Sequence, residues 1–341
     1  MASPTWSNCI KSRMQCLQTA NDFLGNLEGA HRVHGWSVPL RVTNTAIGPM
    51  ATLSSIGEPN PYVHDVVSMS LARLGFWELR EPIAELAAAA RLSSKRLRAL
   101  QDGGGDILDV GAQIGSYSLA FAAAGFRVLS IEPMTQNVLA LEASRCLNPA
   151  LSDRITVVPM AVVGPAQLSR ASCAVLSPFH ANDHGDGVVE CTNKSGSSCD
   201  RRHNGQTIKA NFTYFFHYRR FCLQLIKPLQ TLDSLLLDGP MLNKPTSLKV
   251  VKIDTSGTEC DVLDGARRSL AGALRPALML VNIGSGAKSR EACVRRFATS
   301  NGFAMHPLPT VRSDVRSGAR VTTDNTHVVL VDDPLSYAEA R

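Results

Sequence analysis

Between Asp106 and Pro133 the chain reads DILDVGAQIGSYSLAFAAAGFRVLSIEP, and no other stretch limits its fold as tightly. Ile107, Leu108 and Val110 make a short apolar run that also carries Asp109. A glycine-bearing turn follows from Gly111 to Gly115, then an alanine-rich helical segment closed by Gly125. A second apolar run, Val128 to Ile131, ends in Glu132. The pattern is strand, tight turn, helix, strand: a βαβ unit with an acid at the tip of each strand. Glycine has no Cβ and tolerates φ > 0, so the turn lets bare backbone approach a ligand. The helix N-terminus beyond it offers free N–H groups and a partial positive charge. Glu132 stands where a carboxylate accepts hydrogen bonds from a ribose diol. The unit reads as a nucleoside-cofactor site.

The spacing selects among cofactors. A dinucleotide turn normally needs G-x-G-x-x-G, which lays the pyrophosphate on the helix N-terminus. Here the turn is D-V-G-A-Q-I-G, with one glycine missing and Asp109 before the first. An acid at that place repels a pyrophosphate and suits a cationic amino-acid end, such as the ammonium and sulfonium of S-adenosyl-L-methionine. That cofactor is favoured over a nicotinamide dinucleotide. The plainer alternative, in which Gly111 and Gly115 only close a tight βα turn, stays open.

The 341 residues suffice for one large α/β domain with extensions, or for two small domains. With 44% apolar and 19% charged residues the chain can bury a core. The net charge of +6 is spread out without a basic run, so nucleic acid is not an expected partner. No stretch of about eighteen apolar residues is present, so no transmembrane helix is expected. The opening MASPTWSNCIKSRMQC lacks the apolar centre of a secretory signal. The nine cysteines are odd in number and scattered, which suggests reduced thiols and a cytoplasmic location.

The expected domains are an extension over 1–59, with a helix near Ile10 to Leu24, and a catalytic domain over 60–341. Asn60 and Pro61 signal the start of a helix that Gly75 ends. Helices follow at Pro82 to Leu92 and Ser94 to Leu100. After Glu132 the pattern gives a helix over Thr135–Leu147 and a strand at Ile155–Val158 finished by Pro159 to Val162. Regularity lapses from about 164 to 224, the expected insertion, with an aromatic cluster from Phe212 to Phe221. It resumes at Leu229–Leu237, then gives a strand Leu248–Ile253 ending in Asp254, a helix bearing Val262, Leu263, Ala266 and Leu270, and a strand Ala277–Ile283. A helix over Lys288–Ser300 and a closing hairpin, Phe303–His306 with His327–Val331, complete the chain. Strands alternating with helices predict a doubly wound, mostly parallel sheet with ligands at the carboxyl ends of the strands. Asp109, Glu132, Asp254 and Asn282 fall at those ends.

With these residues in place the chain resembles the FkbM-type family of S-adenosylmethionine-dependent methyltransferases, which have the Rossmann-like class I fold. LDVGAQIGSYSLAFAAAGFRVLSIEP (Leu108 to Pro133) carries the likeness to the wider fold. LKVVKIDTSGTECDVLDGA (Leu248 to Ala266), similar to K-I-D-x-E-G-x-E-x-x-V-L-x-G-A, narrows it to the family. RPALMLVNI, TLDSLL and DVVSMSLARLGFWE add weaker matches. The resemblance implies that Asp109, Gly111 and Gly115 line the methionine part of the cofactor, with Ala112 and Gln113 also among the cofactor-binding residues. It implies that Glu132 holds the ribose, with Pro133, Ala161 and Asp254 also at the cofactor. Asp254 and then Glu259 are the implied catalytic acids, acting on a hydroxyl of a small molecule or sugar. The chain departs from the pattern at Ser256 and Asn282, where the family has glutamates. A second reading is therefore a cofactor-binding or interaction module of the same fold, and a nicotinamide oxidoreductase is a third.

His180, His184, Cys191, Cys199 and His203 crowd into the insertion without a tight C-x₂₋₄-C pair, and no metal site is assigned. Asn193 and Asn211 begin glycosylation sequons, read as coincidental. His64 reads as solvated surface.

Overall fold

The computed structural model describes residues 40–53, 65–102, 104–170, 172–177, 187–192, 221–225, 229–239, 245–284, 287–313 and 320–332. The helix expected near Ile10 to Leu24 lies outside them, as do His64, His180, His184, Cys199, His203, both sequon asparagines and Phe212 to Tyr218 of the aromatic cluster.

The described chain opens with a hairpin, β1 (Arg41–Thr45) and β2 (Gly48–Thr52). Met50, Ala51 and Leu53 are buried in the same core as Leu139, Ala140 and Ala143. The backbone N–H of Ala51 donates to Ser144 Oγ at 2.9 Å. Helix α1 (Val66–Leu74) is capped by Asp65, whose carboxylate accepts from Ser68 N at 2.7 Å, and ends at Gly75 with φ 79°. Asp65 rather than Asn60 is its N-cap, because an Asp three residues before a free N–H satisfies it directly.

Helices α2 (Pro82–Ala89) and α3 (Ser94–Asp102) lead into β3 (Asp106–Val110), α4 (Ser116–Ala123), β4 (Arg127–Ile131), α5 (Thr135–Leu147) and β5 (Ile155–Val158). Ala161 and Val162 do not finish β5. They form β6 (Ala161–Val162) of a separate parallel pair. Within the expected insertion, β7 (Ser172–Ser177), β8 (Val188–Thr192) and β9 (Phe221–Leu225) form an antiparallel sheet in the order β8-β7-β9. Strand β10 (Leu229–Gln230) is the partner of β6. The chain then gives β11 (Leu248–Ile253), α6 (Glu259–Asp264), β12 (Leu278–Asn282), α7 (Lys288–Ser300), β13 (Phe303–Ser313) and β14 (Arg320–Asp332). The helix expected through Leu270 breaks after Asp264 and resumes as a wide turn over Ser269–Ala273.

The main sheet runs β13-β14-β12-β11-β3-β4-β5, with β14 alone antiparallel. Successive residues of a strand point to opposite faces, so one strand serves two cores. Ile107, Val250, Leu278 and Leu280 pack on the side of α1 to α5, while Leu108, Val251, Met279 and Val281 pack on the side of α6 and α7. The closing hairpin is longer than its apolar residues suggest. Strand β13 continues through Pro307 and Pro309, which an edge strand tolerates because no ladder bond is needed there.

The cysteine reading is corrected. Cys173 and Cys191 are disulfide-bonded across the β7–β8 pair, where the antiparallel register sets them directly opposite. Cys260 of α6 is bonded to Cys293 of α7, and Cys146 is also bonded. Partners chosen by strand register and helix packing leave no spacing rule in the sequence, so scatter was a poor guide. The thiol argument for a cytoplasmic location loses its premise. No helix among the described residues is long and apolar enough to cross a membrane.

Candidate active site

In the main sheet the strand order reverses between β3 and β11, and a cleft opens at the carboxyl ends of these strands and of β4. Val110 and Gly111 line it from β3, Ile131 and Glu132 from β4, and Asp254 to Ser256 from β11. Gly187 and Val189 of the inserted sheet supply a further wall.

Glu132 is buried and its carboxylate gathers donors. Gln113 N gives to Oε2 at 2.9 Å, and Met134 N and Asn137 Nδ2 give to Oε1 at 2.9 and 3.1 Å. Burial pushes this carboxyl up to about 7, against the pull of those three hydrogen bonds. Gln113 reaches its position through φ 50°, an unusual value for a residue with a side chain.

Gly111 has φ 77°, and a Cβ there would overlap the carbonyl oxygen of Asp254. Its glycine is thus required by contact between the β3 turn and the tip of β11, as well as by any ligand. Gly115 caps α4 at φ 90°, and a Cβ there would overlap Leu141 rather than enter the cleft.

Of the residues expected at the cofactor, Gly111, Gln113, Glu132, Pro133, Ala161 and Asp254 line the cleft. Asp109, Ala112 and Gly115 do not. Asp109 is fully buried behind the wall, 3.2 Å from Lys252 Nζ, and accepts from Ser118 Oγ at 2.6 Å. Lys252 already neutralises it, so its charge is not available to a cofactor ammonium. Burial pulls the Lys252 ammonium down, but Asp109 and Asp254 outweigh it and hold the group above its usual range. Lys252 Nζ also donates to Gly111 O at 2.7 Å and so fixes the turn.

Asp254 lines the cleft, and its Oδ1 accepts from Asn282 Nδ2 at 2.8 Å. Asn282 Oδ1 in turn accepts from Gly284 N at 2.8 Å. The asparagine therefore orients Asp254, which an ionised glutamate has no donor to do. Glu259, the second catalytic expectation, is turned away from the cleft. Its Oε1 accepts from Thr255 N at 2.9 Å and Gly257 N at 3.0 Å, and Oε2 lies 3.2 Å from Arg290 Nε. This carboxylate shapes the turn that holds Ser256 at φ 51°.

Sequence reasoning gave no role to Glu78, Tyr117 or His327. Glu78 takes φ 57° as its carbonyl accepts from Val311 N at 3.0 Å, and this turns its side chain inward. Tyr117 OH donates to Glu78 Oε2 at 3.1 Å, and His327 Nε2 is 3.4 Å from the same oxygen. Burial raises the Glu78 carboxyl, as does Asp254, against the lowering effect of His327. Burial lifts the Tyr117 phenol well above its usual range. The signal available in the sequence was a polar residue inside an apolar run: Lys252 in LKVVKI and His327 before VVLV.

Whether the residues fit S-adenosyl-L-methionine is tested by the polar atoms of the cleft. Glu132 offers a buried carboxylate on its wall. Thr255 Oγ1 is buried there without a hydrogen-bond partner, as a ligand-contacting atom would be in the free protein. The residues fit.

This strand order, with one antiparallel strand next to the edge and a cleft at the reversal point, is the Rossmann-like fold of class I methyltransferases. The chain belongs to the FkbM family: the methyltransferase FkbM domain matches residues 109–305. Among solved structures it is similar to the precorrin-6Y C5,15-methyltransferase of Geobacter metallireducens GS-15, with 11% identity, 74% of this chain and 87% of that one covered, and a TM-score of 0.35. The C-terminal domain of the Rhodobacter capsulatus precorrin-6Y C5,15-methyltransferase gives 14% identity, 71% and 90% coverage, and a TM-score of 0.35. The glycopeptide N-methyltransferase MtfA complexed with S-adenosyl-L-methionine gives 10%, 76% and 74%, and 0.26. Likenesses this loose carry nothing about the site. No curated protein sequence matches the chain.

Proposed function

We propose that this chain transfers a methyl group from S-adenosyl-L-methionine to a hydroxyl of a small molecule or sugar. The observation that carries the reading is that Glu132 and Asp254 line one cleft on opposite sides of the strand reversal, with Asp254 held by Asn282. Glu132 receives the ribose hydroxyls. Asp254 accepts the proton of the acceptor hydroxyl as its oxygen bonds to carbon. When bound, the cofactor would supply an electrophilic sulfonium methyl with a neutral thioether as its leaving group. The strand-end frame aligns acceptor, carbon and sulfur, and alignment supplies much of the acceleration in such a displacement. Incubation with labelled cofactor and a panel of sugars, phenols and polyketides tests this; product from any hydroxylated acceptor supports it, and product only from amines or carbons sinks the hydroxyl assignment.

One observation favours a second reading, a cofactor-binding module without turnover. Glu259 is engaged by the 255–257 turn, which leaves Asp254 as the single acid of the pair on the cleft wall. Calorimetry beside the acceptor screen separates the two: tight cofactor binding with a persistent blank favours the module.

The Glu132 carboxyl gives a pH dependence. Its ionised form accepts the ribose hydroxyls, so affinity for S-adenosylhomocysteine should rise with pH through about 7, by about tenfold from pH 6 to 8. Stability of the free protein should move oppositely. A carboxyl raised from 4.5 to about 7 binds its proton more tightly when folded, so this group stabilises the fold as pH falls through that window. Glu132→Gln should flatten both profiles. Calorimetry and melting curves across pH read them; an affinity independent of pH in the wild type removes the titration from binding.

A further inference from the structure

Glu78, Asp254 and His327 come from three distant parts of the chain and converge on one point. Glu78 arrives from the segment after α1, Asp254 from the tip of β11 and His327 from β14. One ligand atom of each lies within 4.8 Å of the others. Glu78 is 6% exposed and His327 2%. His327 Nε2 is buried without a hydrogen bond and stands 3.4 Å from Glu78 Oε2. The other ring nitrogen, Nδ1, is 3.0 Å from Thr326 Oγ1. In the tautomer whose ring proton sits on Nδ1 and is given to Thr326, Nε2 turns a lone pair toward Glu78, the arrangement that an ion between them would use.

The neighbouring cation, Lys252, acts on Glu78 and Asp254 through space. Lys252 is held by Asp109 at 3.2 Å and by Gly111 O at 2.7 Å. Two carboxylates and one imidazole converging on a single point are a donor set that a divalent ion uses. The spacing agrees. Two ligands of a tetrahedral ion at about 2.1 Å stand about 3.4 Å apart, which is the Glu78–His327 separation. Each of the three side chains also has its own supporting hydrogen bond, as metal ligands do. Thr326 supports His327, Tyr117 donates to Glu78 at 3.1 Å, and Asn282 donates to Asp254 at 2.8 Å.

We propose that Glu78, Asp254 and His327 bind a divalent first-row transition ion of the zinc or manganese type, with an open ligand position facing the cleft that Asp254 lines. The imidazole selects against magnesium and calcium, which prefer oxygen alone. The inference rests on the cluster and not on methyl transfer, and it is tested on protein free of cofactor and acceptor. Chelator-treated wild type titrated with Zn²⁺ in a calorimeter should take up one equivalent at this site. His327→Gln and Glu78→Gln should each weaken that uptake by roughly a hundredfold or more, with melting curves confirming that they fold. Wild type loaded with Mn²⁺ should show electron spin-echo modulation from one imidazole nitrogen, a readout that needs no variant. Absence of Zn²⁺ uptake, uptake undiminished in both variants, or a Mn²⁺ signal without imidazole nitrogen overturns the site. Neither cofactor nor acceptor takes part in these measurements.

Discussion

Glu132→Ala should weaken S-adenosyl-L-methionine binding by about thirty- to a thousandfold, equivalent to about 2–4 kcal/mol for two lost charge-assisted hydrogen bonds. S-adenosylhomocysteine should weaken in parallel, because the ribose is common to both. The variant also strips an acceptor from Gln113 N, Met134 N and Asn137 Nδ2. The melting temperature should therefore fall alongside affinity. Glu132→Gln keeps one acceptor oxygen, and should retain more of the stability than of the affinity. Calorimetry with both ligands decides the point. If Glu132→Ala binds both within about threefold of wild type, the ribose assignment is wrong.

Asp254→Asn should lower the rate of transfer by roughly a hundred- to ten-thousandfold while leaving cofactor binding measurable. The substitution is a mild one structurally. An asparagine oxygen still accepts from Asn282 Nδ2, so the side chain keeps its place and loses its negative charge. Single-turnover assays with labelled cofactor, on whichever acceptor the screen yields, give the comparison. Transfer at the wild-type rate would take Asp254 out of the reaction.

The sheet was legible because its signals are local. Strands β3, β4, β11 and β12 are short apolar runs, and each ends at an acid, an amide or a glycine turn that the sequence displays directly. Helices α5 and α7 were legible to the residue from their periodicity. Pairings across long distances were not. Nothing local tells Cys260 that Cys293 lies opposite, or sets Ala161 beside Leu229 rather than at the end of β5. The site divides in the same way. Glu132 and Asp254 stand at strand tips, where topology alone aims them at the cleft. Asp109 stands one residue earlier than the tip of β3, and that single step turns it from the cleft into the wall. Glu78 was visible as a letter but not as a group, because a left-handed backbone and a bridge to Val311 aim it inward.

Lys252 and Asp109 are direct partners across β3 and β11, the central pair of the sheet. Both are buried, so neither charge has water to fall back on. Lys252→Met alone should destabilise the fold by about 3–5 kcal/mol, and adding Asp109→Asn should recover much of that loss in denaturant melts. The consequence concerns assembly more than strength. The apolar residues of β3 and β11 are nearly interchangeable and would accept neighbours shifted along the chain. A shift of one residue leaves an ammonium facing hydrocarbon and a carboxylate facing the opposite face of the sheet. The pair works as a key cut for one alignment, and it is the alignment that brings the tip of β11 into contact with Gly111.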